Sequence, residues 1–501
     1  MGRFTSSRTA RFFNIVLLDC ATLAVGGAGL IIVGLAALRC FWNIDLTYNN
    51  EGWNAYHQAA ALRGDNVYPP AGALIFNHYP PLSFIVIGAL ARLGGDVVVI
   101  GRLISVGSLI VIAISSGIIV DNLSNRPGRS GIAAAAVCLA AFCVISPFYV
   151  GMNDPQLFGQ AIMTAALAVY TRAPERPSNL FITVVLMATA GMTKHNLLAV
   201  PIAIALDVLM RSPRRAMLFL TFSILALFSC ALWMQVISDG RVWSSIMRPR
   251  PYSFLSAANL ARDFFASAFP LVLIGAIGVV GRMSQPGPRL VASYGFVALL
   301  VGGMFGGVVG TDQNVYFDVI IASALGVGLL IDELVGRASM SLVGIPGTLL
   351  AALLIVASVI SPAFQDLNKF RALYLLDDRL ARAFIDGTSY LRARPGDAIC
   401  HNLLLCFRAG KPFVFDIWTE TYGWITAGQV SNLMESGVVK TVQLMEIDAD
   451  LLVGGGVPNG PNSALLKRKK ELVDHLRFYK EVRQGYKLHH RSAGLAFFVS
   501  R

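Results

Sequence analysis

Asp45-Leu-Thr-Tyr-Asn-Asn-Glu51-Gly-Trp-Asn-Ala-Tyr56-His57 carries two carboxylates six residues apart in a polar stretch. Either acid is suited to take a proton from an incoming hydroxyl as a general base. Both also read as solvated loop acids, with Glu51 near a helix start. Asn153-Asp154-Pro155-Gln156 supplies a third acid. Asp followed by Pro at the head of an apolar run is an ordinary N-cap and first-turn pair, which does not exclude catalysis. Lys194 is the only lysine in the first 362 residues, where the other 21 basic residues are arginines; His195 follows it. A cation there would hold a phosphate or reach the interface as a helix-end lysine. Arg248-Pro-Arg250-Pro-Tyr252 would clamp a phosphate or lie on acidic headgroups. Asp312-Gln313-Asn314 caps a helix, with Tyr316 as an interface aromatic. His57, His78 and Tyr79 complete the polar inventory of the first loop.

Other chemistries lack their residues. There is no P-loop, no GxSxG and no HExxH, so nucleotide-driven transport, serine hydrolysis and a helical zinc site have no support. No metal ligand set is legible; a divalent cation is left open. The seven cysteines contain no CxxC pair. Cys400 and Cys406 would bond if a turn separates them, and are too far apart on one straight strand.

The elements that position these groups follow from composition. Of 501 residues, 55% are hydrophobic and 14% charged, whereas a soluble domain is about a quarter charged. That excludes a soluble enzyme, a disordered chain and a fibrous repeat. Apolar runs suited to spanning lie near 15–38, 97–120, 131–149, 157–171, 180–193, 195–210, 217–237, 266–280, 291–309, 317–335 and 342–361, against the requirement of about 20 residues per span. The apolar stretch 82–93, headed by Pro80-Pro81, is too short and reads as an interfacial helix. Arg3, Arg8 and Arg11 precede the first run without a small-residue cleavage site, so it reads as a retained helix.

The net charge of +12 is a topology signal and not a nucleic-acid footprint. With the N-terminus inside, the arginine-bearing turns at 126/129, 172/176, 211/214/215 and 282/289 fall on the cytoplasmic side. The loop 39–96, the turn Gly151–Gln156, the break at Lys194-His195, the loop 238–265, the turn Thr311–Tyr316 and the tail from 363 then share the outer face. The expected organisation is a membrane domain over 1–362, including the outer loop 39–96, and an extracytoplasmic domain over 363–501. The tail reads as α/β: an amphipathic stretch through Phe370, Leu373, Leu376, Leu380 and Phe384, strand-like runs at 397–401, 412–416, 441–446 and 450–454, a turn at Gly454–Gly456, a basic helix at 465–484 and a β-like end at 487–499.

Glu51-Gly-Trp-Asn-Ala-Tyr-His, Tyr79-Pro-Pro-Leu-Ser-Phe and Gly101-Arg102-Leu103 together resemble the first-loop signature of the membrane-embedded GT-C glycosyltransferases, which include protein mannosyltransferases and the aminoarabinose transferases of lipid A. The Asp154 turn, Thr193-Lys194-His195 and Thr311-Asp-Gln-Asn-Val-Tyr316 resemble later elements of that family, over roughly residues 10–335. The fold implied is an all-α polytopic membrane domain of about eleven transmembrane helices, with a small C-terminal α/β domain outside the membrane. The resemblance implies transfer of a sugar, with inversion, from a polyprenyl-phosphate donor to a lipid, glycan or protein acceptor on the outer face of the cytoplasmic membrane. It implies that Glu51 activates the acceptor and that Asp154 orients acceptor or donor. Lys194, with Arg248 or Arg250, would stabilise the departing lipid phosphate, and His195, Tyr79, His57 and Asn314 are further binding candidates. The family often has aspartate at the first acidic position where Asn50-Glu51 stands here, so Asp45 rivals Glu51 as the base. The alternative reading is a flippase for a lipid-linked saccharide, which expects mid-membrane charges and an internal repeat.

Overall fold

The computed structural model describes residues 2–45, 50–336, 341–342, 345–365, 378–452, 470, 473–492 and 494–501. Among the described residues, fourteen helices run through the N-terminal part: α1 (Gly2–Arg39), α2 (Asn50–Arg63), α3 (Leu82–Ala91), α4 (Val97–Leu123), α5 (Arg129–Ile145), α6 (Pro155–Arg172), α7 (Pro177–Gly191), α8 (Ala199–Arg211), α9 (Pro213–Ile237), α10 (Arg241–Ile246), α11 (Phe254–Val280), α12 (Pro286–Gly306), α13 (Phe317–Gly336) and α14 (Gly347–Gln365). Each of the eleven apolar runs falls largely within one of them. Six helices, α1, α4, α9, α11, α12 and α13, the last taken from Gln313, are long and apolar enough to cross a membrane. The chain is a multi-pass membrane protein.

The apolar core of this part runs continuously through α1, α4–α8 and α11–α14. Helix α13 sits at its centre, with 72% of its most apolar window buried, whereas only 6% of the α9 window is buried. An exposed, wholly apolar helix is stable only against lipid, so α9 forms part of the lipid-facing perimeter. The ten residues of α3 span about 15 Å at 1.5 Å per residue, half the hydrocarbon thickness of about 30 Å. It does not cross.

Helix starts are set locally. Asp96 caps α4 by accepting from the amides of Val98 and Val99, and Asp154 caps α6 by accepting from Gln156, with Pro155 in the first turn. Asp312 caps the 3-10 turn Gln313–Tyr316 that leads into α13. Each capped start satisfies an amide that has no partner within its helix.

A short hairpin, β1 (Ser341–Leu342) with β2 (Ile345–Pro346), precedes α14. The C-terminal part contains a four-stranded sheet of β3 (Asp397–Cys400), β4 (Val439–Met445), β5 (Tyr486–Ser492) and β6 (Leu495–Ser500), in the order β3-β4-β6-β5. The β3–β4 pair is parallel and the others antiparallel. Ile399, Val442, Leu444 and Phe498 pack with Phe478, Tyr479 and Val482 of the helix Arg477–Gly485. Ala398, Cys400 and Phe497 pack with Phe384 and Leu391 of the helix Asp378–Arg392 and with Ile87, Val97 and Val98 around α3 and α4.

Two strand expectations fail here. Residues 450–452 do not form a strand, and 453 and 454 lie outside the described residues: Glu446–Leu452 is helical, a period that turns Ala449 and Leu452, three apart, into the core. Residues 412–416 form no strand either, because their backbone turns to the outer loop, where the Asp416 amide donates to the Leu74 carbonyl at 3.2 Å. Phe370, Leu373, Leu376, Gly454–Gly456 and 465–469 lie outside the described residues, while Phe384 is buried and Leu380 exposed. After β3 the helix Leu403–Arg408 turns the chain back, and Cys400 and Cys406 form a disulfide across that turn, with Cα atoms 5.9 Å apart.

Candidate active site

The outer loop is organised around Arg102, in the second turn of α4. Its guanidinium donates to both oxygens of Glu51, Nε–Oε1 at 2.7 Å and Nη2–Oε2 at 2.6 Å. It also donates to the carbonyls of Trp42 at 2.6 Å, Ile44 at 2.5 Å and Cys40 at 3.3 Å. One side chain therefore holds the end of α1, the segment leading to Asp45, and the first turn of α2. Glu51 Oε1 also accepts from the Asn153 amide at 2.9 Å. Both side chains of the pair are 0% exposed. A carboxylate removed from water in this way is stable because each oxygen meets a charged or amide donor.

Asn153 locks the next turn. Its side chain exchanges two hydrogen bonds with Gln58, at 2.7 and 2.9 Å, and its carbonyl accepts from Asn54 at 2.9 Å. The side chain lies against Gly101, where a Cβ would stand 1.8 Å from Asn153 Oδ1; only glycine fits.

This frame presents Asp154. Its Oδ1 caps α6, while Oδ2 accepts from Asn50 at 2.6 Å. Lys194 Nζ approaches Oδ1 at 3.8 Å and sits 3.7 Å from the centre of the Tyr79 ring. Lys194 is 3% exposed, and its ammonium has no hydrogen-bond partner among the described residues. The lysine stands in the break between α7 and α8, which is tied to α3 by the Leu82 amide donating to Met192 at 3.1 Å. Tyr79 is fixed in turn: its amide donates to Asn77 at 3.0 Å and its carbonyl accepts from Tyr68 at 2.8 Å. An ammonium over an aromatic face beside a carboxylate is held without a full hydrogen-bond set, which leaves its N–H groups for an anion.

His78 stands beside this lysine. Burial holds its imidazole well below the usual histidine range, and the charges of Arg250, His195 and Lys194 push in the same direction. His57 adds to the same effect, so the charges of four candidates act on one imidazole. Asn314 joins the far side, donating to Gln156 at 3.4 Å, while Tyr149 donates to Asp312 at 2.9 Å. The Arg248 guanidinium lies 4.1 Å from the Phe76 ring centre and 5.8 Å from that of Trp424, and its Nη1 is buried with no hydrogen-bond partner among the described residues. Trp424 also donates to the Pro249 carbonyl at 2.8 Å, so the C-terminal part covers the arginine loop.

Asp45 is half-buried, and its charge is felt by Arg102; residues 46–49 that follow it lie outside the described residues. His57 stands apart from the lysine, behind the Trp53 ring, whose centre is 4.4 Å from His57 and 5.1 Å from Tyr79. Among the described residues no three His, Cys, Asp or Glu side chains gather as a metal site.

The residues that sequence reasoning missed are the framing ones. Asn50, Gln58, Asn153, Trp53 and Trp424 carry no local signal of their role, and Arg102 was legible only as part of a motif.

No family model and no curated protein matches the chain. Solved structures do. The apo structure of ArnT from Cupriavidus metallidurans superposes over 95% of this chain and 98% of its own, with a TM-score of 0.59 at 13% identity. ArnT bound to undecaprenyl phosphate superposes over 94% and 98%, with a TM-score of 0.56 at 14% identity. The archaeal oligosaccharyltransferase AglB from Archaeoglobus fulgidus, in complex with an inhibitory peptide and a dolichol-phosphate, covers 94% of this chain and 74% of its own, with a TM-score of 0.52 at 11% identity. The chain has the GT-C fold. The resemblance legible in the first loop thus extends through the C-terminal part, across nearly the whole length of ArnT.

Proposed function

We propose that the protein is a glycosyltransferase that moves a sugar from a polyprenyl-phosphate donor to an acceptor at the outer face of the cytoplasmic membrane. The observation that carries this reading is the buried Lys194 ammonium, held by Asp154 and the Tyr79 face with Arg250 in the same neighbourhood. Its hydrogen-bonding capacity awaits an anion, and a lipid phosphate at the interface supplies one. The structural relatives that hold undecaprenyl phosphate and dolichol-phosphate support the same donor class.

In the step, an acceptor hydroxyl oxygen attacks the anomeric carbon from the face opposite the phosphate. The new glycosidic C–O bond forms, the bond from carbon to phosphate oxygen breaks, and the phosphate leaves with the electron pair. Inversion follows from opposite-face attack. Asp45 takes the hydroxyl proton. Lys194 and Arg250 neutralise the charge that develops on the phosphate, and Asp154 aims Lys194. Glu51 acts through the frame: its pairing with Arg102 sets the segment 40–45 that presents Asp45.

The outer-face assignment has two supports. Arg129, Arg172, Arg211, Arg214, Arg215 and Arg289 lie in the end turns of their helices and Arg176 and Arg282 in the connections, all at the helix ends opposite the site. The Cys400–Cys406 disulfide suits an oxidising compartment and lies on the side of the site, because its helix packs on α2: a Cβ at Gly52 would stand 2.2 Å from the Leu404 nitrogen.

The test is transfer from radiolabelled polyprenyl-phosphate hexoses and pentoses in membranes, comparing wild type with Asp45→Asn, Asp154→Asn and Lys194→Met. Label should reach an acceptor in wild type and fall at least a hundredfold in Asp45→Asn. Labelled lipid that changes leaflet without being consumed would identify a flippase instead.

A further inference from the structure

The arginine loop carries its two cations between prolines, as Arg248-Pro249-Arg250-Pro251. A proline has no amide hydrogen, so at positions 249 and 251 only the carbonyl can tie the backbone down. Both carbonyls are taken. Pro251 accepts from the Val309 amide at 3.0 Å, next to the Tyr252–Val308 bridge and the bond from the Ser253 amide to Gly307 at 2.8 Å. Pro249 accepts from the Trp424 indole at 2.8 Å. Arg250 is therefore held from both sides, once by the membrane part and once by the C-terminal part.

Trp424 is itself rooted. Its amide donates to the Thr419 carbonyl at 3.0 Å, and its neighbour Ile425 is buried with Ile417 in the core of the C-terminal sheet. Glu420, in the same turn, accepts from the amides of Arg477 and Phe478 at 2.6 and 3.1 Å. The turn that offers the indole is thus fastened to the helix Arg477–Gly485.

The Trp424 ring also stands between the arginine loop and the lysine. Its centre is 5.8 Å from the Arg248 guanidinium and 6.2 Å from the His78 ring. His78 lies 4.4 Å from Tyr79, whose face carries Lys194 at 3.7 Å. On the other side Phe76 meets Trp424 edge-on at 5.3 Å and Arg248 at 4.1 Å. Lys194 Nζ and Arg248 Nη1, one at each end of this run of rings, are both buried without a hydrogen-bond partner among the described residues. The charge of Arg250 reaches the same His78. Cations stabilise a developing anion only when they are held in place beforehand, and a loop free to swing would not hold them.

We infer that Trp424 is a positioning residue of the donor site: its indole N–H and ring fix the arginine loop against the Tyr79–Lys194 contact, so that the C-terminal part completes the anion-binding half of the site. The inference rests on the lipid-phosphate donor reading above. Trp424 bonds a backbone carbonyl and not the ligand, so its effect reaches the phosphate only through Arg248 and Arg250.

The experiment is equilibrium binding of undecaprenyl phosphate to the full chain in nanodiscs, with undecaprenol as the phosphate-free control. Wild type should prefer the phosphate. Trp424→Phe keeps a ring and loses the N–H, and should weaken phosphate binding about three- to tenfold. Trp424→Ala loses both and should weaken it further. In an Arg248→Gln/Arg250→Gln background, Trp424→Phe should change the affinity by less than about twofold, because residues acting through one another are not additive. Thr426→Ala, which removes the cap of the neighbouring helix Ala427–Glu435, should lower stability and leave the affinity as it is. The inference is overturned if Trp424→Phe binds the phosphate as wild type does, or if its effect persists without the two arginines. It is equally overturned if undecaprenol binding falls by the same factor, or if Thr426→Ala weakens phosphate binding as much. Wild type separates the two readings. No preference for the phosphate sinks the donor reading and this inference with it; a clear preference with Trp424→Phe unaffected sinks this inference alone.

Discussion

Arg102 grips Glu51 through two nitrogens, at 2.7 and 2.6 Å, in a pair that neither water nor substrate reaches. In the proposed mechanism this pairing makes Glu51 a positioning residue, and the half-buried Asp45, whose charge acts on Arg102, is the proposed base.

The two acids should therefore fail differently. Removing one partner of a buried, hydrogen-bonded ion pair costs about 3–5 kcal/mol, so Glu51→Gln should lower the melting temperature and the folded yield. Its residual activity per folded molecule should exceed that of Asp45→Asn. Asp45→Asn should melt like wild type and lose about 10²–10⁴-fold in turnover. A Glu51→Gln protein with wild-type melting and no turnover would restore Glu51 as the base.

Lys194→Met should reduce kcat by about 10²–10³-fold, as for loss of one preorganised donor to a developing anion. It should also weaken undecaprenyl phosphate binding measured without any sugar. Lys194→Arg should recover part of both, because charge is kept while the fit against Tyr79 changes. Unchanged lipid-phosphate affinity in Lys194→Met would remove the anion role.

Two groups outside the membrane spans give opposite pH dependences. Burial pushes His57 down to about 3, so between that value and an unfolded value of about 6.5 the native state binds fewer protons. The stability it contributes is present above about pH 6.5 and is lost as pH falls, at about 1.4 kcal/mol per unit. Burial pushes Asp416 up to about 6, so its contribution is present at low pH and is lost as pH rises from about 4 to 6. Melting curves at pH 4 and 6 should separate them. Relative to wild type, His57→Gln should gain stability at pH 4, and Asp416→Asn, which retains a cap for Trp418, should gain it at pH 6. Parallel shifts in both variants would contradict the assignment.

Gly52 packs against the backbone of the helix Leu403–Arg408, with a Cβ position 2.2 Å from the Leu404 nitrogen. Gly52→Ala forces two segments apart and should cost about 1–3 kcal/mol, as overpacking does. Protease release of a C-terminal fragment should accelerate in that variant. A fragment pattern identical to wild type would show that the helix docks elsewhere.

The sidedness read from the disulfide is checked by labelling. Because Cys400 and Cys406 are buried, the label needs an exposed position near them: in intact cells a membrane-impermeant maleimide should label Val438→Cys, at a side chain 51% exposed on the same part, in a Cys400→Ser/Cys406→Ser background. Labelling only after the membrane is broken would place the C-terminal part inside.

Much of this protein is local and therefore legible along the chain. Asp154-Pro155 specifies a helix start because the cap and the proline act on amides within one turn. A ten-residue α3 declines to cross because length is counted along the sequence. Lys194 announces itself by being the single lysine among the arginines of the first 362 residues. Hydrophobic period likewise gives the helices, since lipid rewards an apolar surface residue by residue. It misjudged residues 450–452, where the short apolar run Leu451-Leu452 serves a helix as well as a strand.

Tertiary structure decided what each polar group does. Glu51 meets a guanidinium 51 positions away, and Trp424 reaches a carbonyl 175 positions away. His57 meets the Phe413 ring at 6.1 Å, while its neighbour Trp53 leans on Tyr79. A carboxylate is a base or a buried counter-ion according to which charge packs against it. That partner is chosen by how α2 and α4 dock, a relationship set by the whole helix assembly and by no window of sequence around either residue.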